Sequence, residues 1–593
     1  MKRLLSYLKP HIGVMVTATI LVLLIIVVEL YRPIIIGDAI DKYINGSYVQ
    51  MMEQGDSSLT QSEMELLKND SFRGILGAAG LYLFLLLSGF VLNALNNWIL
   101  QKMGQNIIFR MREEVFSHIH NLSLSFFNVT PVGKLVTRVS NDTEAVNELF
   151  TTILVKLFKN SVKIVGYAVV MLSRNVRLAL VSFALLPLVT VLTFFFRYMS
   201  RKAYQITRNK ITELNTFLSE HISGMKLIQI FAREEAKYKE FETKSEELFR
   251  ANWREVMTFA IFRPSIYMLS VIAMILVIGT GSASVLRGEL SLGTLFIFIS
   301  YISSFFEPIQ ELAEQFGTLQ SSLASAEKIF SVLDEKPDIV NPVHPVKPEK
   351  LQGRIEFKHV WFAYEKEDYI LKDISFVIEP GQKIAFVGAT GAGKSSILNL
   401  IGRYFDIQRG EILIDGINIK DMEIETLRGA IGQVQQDVFI FTGDIKSNIS
   451  LNNENISLEE VKQAAHIVNA DTFIEKMPEG YDSPVTERGS TLSAGQRQLL
   501  SFARTLAYDP AILVLDEATA NIDTETEALI TSALAKLMEG RTTIMVAHRL
   551  STIQHADKII VMSKGRIKES GTHQELLKQG GMYKKLYDLQ LAE

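Results

Sequence analysis

Residues 388–396 form the segment whose composition most clearly predicts a chemical role. Between an apolar run at 383–387 and a helix-favouring run at 396–402, the chain reads Gly388, Ala389, Thr390, Gly391, Ala392, Gly393, Lys394, Ser395 and Ser396. Glycines allow backbone N–H groups to converge on phosphate oxygens at the start of a helix. The Lys394 ammonium could reach β- and γ-phosphates, and the Ser395 hydroxyl could coordinate Mg²⁺. The order strand, loop, helix favours a phosphate-binding loop over an ordinary glycine-rich turn.

A second chemical feature is a pair of acids at the end of an apolar run. Residues 511–515 read Ala-Ile-Leu-Val-Leu and are followed by Asp516 and Glu517. A buried strand here would deliver the Asp516 carboxylate to Mg²⁺ and place Glu517 where it can polarise a water for attack on a γ-phosphate. Acids at a strand end are often solvated turn residues. The phosphate-binding loop upstream favours the catalytic interpretation.

A third segment identifies a family. Residues 492–496 read Leu-Ser-Ala-Gly-Gln at the head of a helical run through Arg504, which resembles the LSGGQ signature of the ATP-binding cassette (ABC) family. Other motifs of that family appear in the same order, and each has a role that the resemblance implies. Tyr364 would stack on adenine, and Gln436 would sense Mg²⁺ and face the membrane domain. Residues 486–490 would contact cytoplasmic loops. Residues 520–523, with Asp523, would cross the dimer interface, and His548 would sense the γ-phosphate.

The resemblance implies that the ATPase domain works as half of a dimer, with ATP and Mg²⁺ as cofactors. Each ATP would lie between the phosphate-binding loop of one cassette and Ser493, Gly495 and Gln496 of the other. In this sequence Ala494 replaces a glycine of the signature, so the change would affect the nucleotide held by the partner. An altered signature beside an intact Glu517 favours a heterodimer over a homodimer.

The elements that must position these residues belong to two regions of different composition. The chain has 593 residues, a net charge of −4 and no cysteine. The small net charge gives no reason to expect nucleic acid as a partner, and the lack of thiols excludes disulfides and thiolate chemistry. Long apolar runs dominate up to about residue 316, and short apolar runs between Gly, Asp and Lys follow residue 350. We therefore expect a six-helix all-α transmembrane domain (1–335), a linker (336–352) and an α/β P-loop ATP-binding cassette domain (353–593).

Membrane spans follow from the apolar runs, since a bilayer core needs about 20 apolar residues in a helix. The run from residue 12 is too long for a cleavable signal peptide. The third run is weak because Lys156, Lys159 and Lys163 interrupt it. An even number of spans is nevertheless required if the N-terminus and the ATPase domain are both cytoplasmic. The predicted spans are about 12–33, 74–101, 149–173, 178–196, 264–286 and 290–312.

Charge placement sets the predicted orientation. The segments after spans two and four are rich in Lys and Arg, and the loop after span one is acidic, which places the basic segments in the cytoplasm. Each basic segment should turn back near the ATPase domain, at 122–133 and 213–224, close to Phe126 and Phe217. The three lysines share one helical stripe, so they either line a polar path or lie partly in a cytoplasmic extension. Glu29 and Glu307 are possible counter-charges.

The resemblance implies an ATP-hydrolysing exporter subunit in a bacterial plasma membrane. Hydrophobic or amphipathic compounds, either drugs or lipids, would move outward by alternating access. Its partners would be a second half-transporter, membrane lipids and the hydrophobic substrate. A homodimeric lipid or lipopeptide exporter is one alternative, and a regulatory or channel-type ABC protein is disfavoured because Glu517 and His548 are present. Importers and soluble ABC proteins fit the fused spans poorly.

Overall fold

The computed structural model describes residues 2–46, 61–365, 367–516, 524–546, 553–554 and 556–592. The chain divides into two compact units. One comprises residues 1–120 and 132–335, and the other comprises residues 121–131 and 336–593.

The first unit is built from helices, several of which exceed the thickness of a bilayer. The longest has 60 residues and is therefore about 90 Å long, against a hydrocarbon core of about 30 Å. Together with the short α4 (Leu124–Val129) of the second unit, the helices are α1 (Lys2–Leu8), α2 (Ile12–Ala39), α3 (Gln61–His120), α5 (Val132–Thr137), α6 (Thr143–Glu148), α7 (Leu154–Arg174), α8 (Val176–Phe183), α9 (Leu186–Ser223), α10 (Met225–Ile230), α11 (Glu234–Leu286) and α12 (Leu292–Leu333).

Several of these helices can cross a membrane. Within the described residues, five helical stretches are long and apolar enough by length and composition: Ser6–Ile44, Glu65–His120, Val176–Ser223, Glu234–Leu286 and Leu292–Leu333. The weak third span predicted from the sequence corresponds to α7. Its 21 residues give a length of about 32 Å, but its lysines keep its mean hydropathy low.

The second predicted turn was placed too early. Residues 213–223 continue α9, and Phe217 is a buried residue within that helix, stacked on His221. The helix ends at Gly224, the residue with the poorest helix propensity in this stretch. The chain then turns through α10 and residues 231–233 before α11 begins.

The predicted turn at 122–133 contains α4, and its residues 121–131 group with the second unit. Within that unit the Ser123 and Ser125 hydroxyls donate hydrogen bonds to the Asp338 carboxylate, over 3.1 and 2.6 Å. Residues 339–352 form no helix, as the prolines of this segment predict. The first segment of the chain after the membrane unit is thus held to α4 through Asp338.

The second unit contains two main sheets flanked by helices. Its strands are β1 (Ile355–Phe362), β2 (Leu371–Ile378), β3 (Lys383–Val387), β4 (Arg409–Ile414), β5 (Ile417–Asn418), β6 (Ile431–Val434), β7 (Gly443–Asp444), β8 (Pro484–Val485), β9 (Ile512–Asp516), β10 (Thr542–Val546), β11 (Lys558–Ser563) and β12 (Arg566–Gly571). Its other helices are α13 (Lys394–Ile401), α14 (Ile424–Gly429), α15 (Ile445–Ser450), α16 (Leu458–Ile467), α17 (Asp471–Ile474), α18 (Ala494–Ala507), α19 (Thr524–Leu537), α20 (His573–Gln579) and α21 (Met582–Ala592).

The larger sheet has the strand order β12-β11-β3-β10-β9-β6, and only β12 runs antiparallel. Side chains of β3 alternate between two hydrophobic cores: Ala385 belongs to one, and Ile384 and Phe386 belong to the other. Both faces are therefore covered, which explains the continuous apolar runs in the sequence. The carboxyl ends of the parallel strands share one edge, where ligands bind in sheets of this kind.

Candidate functional site

The predicted phosphate-binding loop joins β3 to α13, as its sequence context predicts. Gly393 has φ = +101° and caps α13, and a Cβ added there would lie 2.7 Å from Leu371 Cδ2. A Cβ on Gly388 would collide with the carbonyl oxygen of Met562. Both positions therefore require glycine, and the backbone can approach a phosphate closely.

Lys394 is held inside this loop. Its side chain is buried, and its Nζ donates hydrogen bonds to the carbonyl oxygens of Gly388 and Ala389, over 2.6 and 3.2 Å. The ammonium charge lies directly beside the backbone N–H groups at the start of α13. A polyanion entering the loop would meet both kinds of positive group.

Residues predicted from three separate segments of the sequence meet in one cleft of about 720 Å³: those of the phosphate-binding loop, including Lys394 and Ser395, together with Gln436 and Asp516. They converge because β3, β9 and β6 are parallel strands whose carboxyl ends lie at the same edge. Val546 of β10 pairs with both Phe386 and Asp516, and so fixes the spacing between the loop and the carboxylate. A hydroxyl, an amide and a carboxylate beside a phosphate loop are oxygen ligands of the kind that Mg²⁺ binds.

The opposite wall of the cleft was not predicted from the sequence. It is formed by Asp368, Tyr369, Ile370, Lys372, Lys564 and Gly565. The backbone N–H of Lys372 donates to the carbonyl of Gly565 over 2.8 Å, so the turn between β11 and β12 is fastened to the start of β2. The Lys-Gly pair of that turn is an ordinary turn signal, and nothing in it indicates a ligand site.

Tyr364 follows the end of β1 by two residues, and its side chain is 44% exposed. Its hydroxyl lies 3.2 Å from Ser396 Oγ and accepts a bond of 3.4 Å from Asn399 Nδ2. The ring therefore lies against α13, whereas Tyr369 is the tyrosine that lines the cleft.

The signature segment caps its own helix. Ser493 is the N-cap of α18: its Oγ accepts from the Gln496 N–H over 3.2 Å, and Gln496 Oε1 accepts from the Ser493 N–H over 2.9 Å. Ser493 and Ala494 are exposed and Gly495 is buried. None of the residues 493–496 lines the cleft that holds Lys394. Within one chain, the signature segment therefore lies apart from the cleft that contains the phosphate-binding loop.

Two arginines on α18 were missed by sequence reasoning. Arg497 Nη1 donates to the Leu492 carbonyl over 2.6 Å and so fixes the start of the signature. Arg504 donates to the carbonyls of Asn448 and Phe439, over 2.8 and 3.2 Å, and burial lowers the pKa of its guanidinium. These bonds connect the signature helix to the segment that follows Gln436.

The remaining predicted motifs lie partly beyond what can be described. Glu517, Asp523 with the rest of 520–523, and His548 fall outside the described residues. In the segment 486–490, the Thr486 and Ser490 hydroxyls are 2.9 Å apart, and Gly489 has φ = +61°.

In the membrane unit, the predicted pairing of Glu29 with the lysine stripe is confirmed. Lys159 Nζ lies 3.3 Å from Glu29 Oε1, and Lys163 Nζ lies 2.5 Å from Glu29 Oε2. Glu307 forms no ion pair with any residue that the structure describes.

Comparison with known proteins supports the same assignment over the whole chain. The ABC transporter transmembrane region family matches residues 15–309, and the ABC transporter family matches residues 371–520. A probable multidrug resistance ABC transporter ATP-binding/permease protein of Bacillus subtilis is 39% identical over 90% of this chain and 80% of its own length. An ATP-dependent lipid A-core flippase of Desulfotalea psychrophila is 37% identical over 83% of this chain and 86% of its own length.

A solved structure agrees with the fold. A bacterial Atm1-family ABC exporter with ATP bound matches with a TM-score of 0.79 and 26% identity, over 98% of each chain. The sequence relatives, the order of the domains and the overall fold all indicate the same family. The chain therefore belongs to the ABC transporter family, as an exporter in which a helical multi-pass membrane domain precedes an ATP-binding domain whose ATPase activity is coupled to transport.

Proposed function

We propose that this chain is one subunit of an exporter that moves hydrophobic or amphipathic compounds, drugs or lipids, out of the bacterial cell by alternating access. The observation that carries the proposal is the separation of two sets of residues. Lys394, Ser395, Gln436 and Asp516 line one cleft, while Ser493 lies at an exposed helix start outside it. A complete ATP site then requires a second cassette, and its formation and loss can drive a conformational cycle.

In this proposal the nucleotide lies in the cleft at the end of β3. Residues 388–396 bind its phosphates, Lys394 neutralises the β- and γ-phosphates, and Tyr364 contacts the adenine. Ser395, Gln436 and Asp516 would hold an Mg²⁺ ion whose charge offsets that of the phosphates. Glu517 polarises the attacking water and His548 senses the γ-phosphate.

The signature helix acts on the nucleotide of the partner cassette. The N-terminus of α18 presents Ser493, Gly495, backbone N–H groups and the positive end of the helix dipole, which favour an anion. Gln496 is the residue that holds this N-cap in shape. Two cassettes therefore close on ATP, with Asp523 at their interface. Hydrolysis removes the γ-phosphate contact and allows the cassettes to separate.

We further propose that the partner is a different ABC subunit. Ala494 adds a methyl group at the exposed start of α18, where a partner's nucleotide would approach. Glu517 and His548 are intact, so the phosphate loop of this chain belongs to the hydrolytic site and the altered signature serves the other nucleotide.

The proposed topology has six spans, with both the N-terminus and the ATPase domain in the cytoplasm and the whole complex in the plasma membrane. The basic segments that follow spans two and four support this orientation. Span three is α7, whose Lys159 and Lys163 pair with Glu29 within the protein.

The proposal is tested by dye efflux from vesicles. Inside-out vesicles contain this chain alone, or this chain with the ABC subunit that copurifies with it, and their outer medium, which the ATPase domain faces, is supplied with ATP and a fluorescent hydrophobic dye. We expect ATP-dependent dye transport only when both chains are present, and its loss in Glu517→Gln. Transport by the lone chain would replace the heterodimer with a homodimer, and no transport of any amphiphile in either preparation would contradict the exporter function itself.

A further inference from the structure

Two membrane helices share a compact group of three charged side chains, here called the membrane triad: Glu29 on α2 with Lys159 and Lys163 on α7. The two ammonium groups lie 3.3 and 2.5 Å from the two oxygens of the single carboxylate. The three side chains are 18–24% exposed, so the membrane triad is largely but not completely buried.

The proposed topology places the membrane triad deep in the bilayer. The ion pair between Asp38 and Arg174, over 3.4 Å, joins the outer ends of the same two helices. Glu29 is nine residues before Asp38 and Lys163 is eleven before Arg174, which places them about 13 and 16 Å inward. This is close to the middle of a hydrocarbon core of about 30 Å. Charges at that depth are costly against lipid and normally face the protein interior or a water-filled cavity.

The nearby carboxylates of α12 do not complete the pairing. Glu311 accepts a hydrogen bond of 2.7 Å from the buried Asn160, and Glu314 pairs with Arg263 over 3.1 Å. Lys156 and Glu307 are exposed, carry opposite charges and form no ion pair with described residues. Within the membrane triad itself, two ammonium groups therefore share one carboxylate, so its three side chains carry one positive charge more than they pair with each other.

We propose that the membrane triad binds the anionic headgroup of the transported amphiphile, a phosphate, sulfonate or carboxylate. This inference rests on the proposed export function and narrows its substrate class to anionic amphiphiles. An uncompensated positive charge in a medium of low dielectric constant attracts an anion strongly. Glu29 acts as the built-in counter-ion that holds both lysines in place until the substrate headgroup takes over one of them.

This arrangement has a consequence that a purely structural ion cluster lacks. Removing a lysine charge weakens the attraction for an anionic headgroup, whereas removing the Glu29 charge takes away its competitor and strengthens that attraction. The two substitutions must therefore shift the apparent affinity for an anionic amphiphile in opposite directions. A substrate without net charge should respond weakly to both.

The experiment uses the full transporter, this chain with its partner subunit, in proteoliposomes. The probes are fluorescently labelled phosphatidylglycerol, which is anionic, and phosphatidylcholine with the same label and acyl chains. We expect the wild type to prefer phosphatidylglycerol, and Lys163→Gln to raise its half-saturating concentration about tenfold while Glu29→Gln lowers it. Lys163→Arg, which keeps the charge if the glutamine variant fails to fold, should retain the preference.

Arg174→Gln is the matched control, because it removes one positive charge and one ion pair from the same helix outside the membrane triad. It should leave the lipid preference unchanged. Equal changes for both lipids, the same direction of change in Lys163→Gln and Glu29→Gln, or a wild type that moves dyes without preferring phosphatidylglycerol would each overturn the inference. A wild type that moves neither dyes nor lipids would instead contradict the proposed function.

Discussion

The chemistry of the nucleotide cleft depends on backbone geometry at single residues, most clearly at Gly393. A side chain there meets two penalties, since φ is +101° and the Cβ would lie 2.7 Å from Leu371 Cδ2. Strain of this kind costs about 1–3 kcal/mol per residue. We expect Gly393→Ala to weaken binding of a fluorescent ATP analogue by at least about tenfold, measured by titration of the purified transporter.

Gly429→Ala is the appropriate control for that substitution. Its Cβ would meet nothing within 4 Å, and Gly429 is not among the glycines with positive φ. Unchanged nucleotide binding in Gly429→Ala together with a loss in Gly393→Ala would locate the effect in the loop. Normal binding in Gly393→Ala would show that the loop does not form the phosphate site.

The substitution Ala494→Gly tests the trans action of the signature. Ala494 lies exposed at the first helical position after the Ser493 cap. Removing its methyl group should allow closer approach to the nucleotide held by the partner's cassette and tighten the binding of that nucleotide severalfold. The measurement is titration of the two-chain complex with a fluorescent ATP analogue. Unchanged binding would mean that the methyl group does not disturb the nucleotide.

At the scale of elements, Asn448 joins the start of α15 to the segment between Gln436 and β7. Its side chain is 1% exposed and exchanges two hydrogen bonds of 2.8 Å with the backbone of Phe441, besides one of 3.0 Å with Asp444 O. Asn448→Ala would remove these bonds and leave the partly buried N–H and carbonyl groups of Phe441 without this partner, at about 1–3 kcal/mol in all. We expect a lower unfolding temperature of the ATPase domain in a thermal scan and weaker coupling of hydrolysis to transport.

Asn455→Ala serves as the comparison, because Asn455 is exposed and its side chain makes no hydrogen bond recorded among the described residues. Equal unfolding temperatures for the two variants would contradict the role given to Asn448.

The elements that the sequence predicts well are those with strong local signals. The strand at Lys383–Val387 was predicted, because an apolar run bounded by turn residues is a local signal. A helix headed by residues 492–496 and running through Arg504 was also predicted, and the observed helix spans Ala494–Ala507 after a capping serine. The prediction of a turn near Phe217 was wrong, because the helix contains no Gly or Pro after its first turn and continues to Ser223. The cleft wall at 368–372 could not be predicted, since its position depends on the pairing of Lys372 with a turn almost two hundred residues away.

The third membrane helix illustrates another limit of sequence reasoning. Hydropathy counts Lys159 and Lys163 as charges in isolation, and so makes α7 a doubtful span. The structure supplies Glu29, 130 residues earlier in the chain, as their partner. Only the packing of α2 against α7 reveals that the lysines are paired.

At the scale of the whole molecule, the absence of cysteine makes the proposed topology directly testable. Single cysteines can be introduced at Glu289, in the turn before α12, and at Lys239, in the part of α11 that the proposed topology places in the cytoplasm. In intact cells, a membrane-impermeant thiol reagent should label Glu289→Cys and not Lys239→Cys. Inside-out vesicles should give the reverse, because the two positions lie on opposite sides of the proposed membrane.

Labelling of both positions from one side would rule out six spans with this orientation. The unmodified chain provides the background, since it contains no thiol that could react.

The length of α3 has a mechanical consequence. With 60 residues in one uninterrupted helix, it is a rod of about 90 Å, three times the hydrocarbon thickness. If such a rod tilts by about 10° about one end, its far tip sweeps roughly 16 Å. A helix of this length would therefore act as a lever: a displacement of a few ångströms near the pivot becomes a much larger displacement at the far tip, enough to open a passage there.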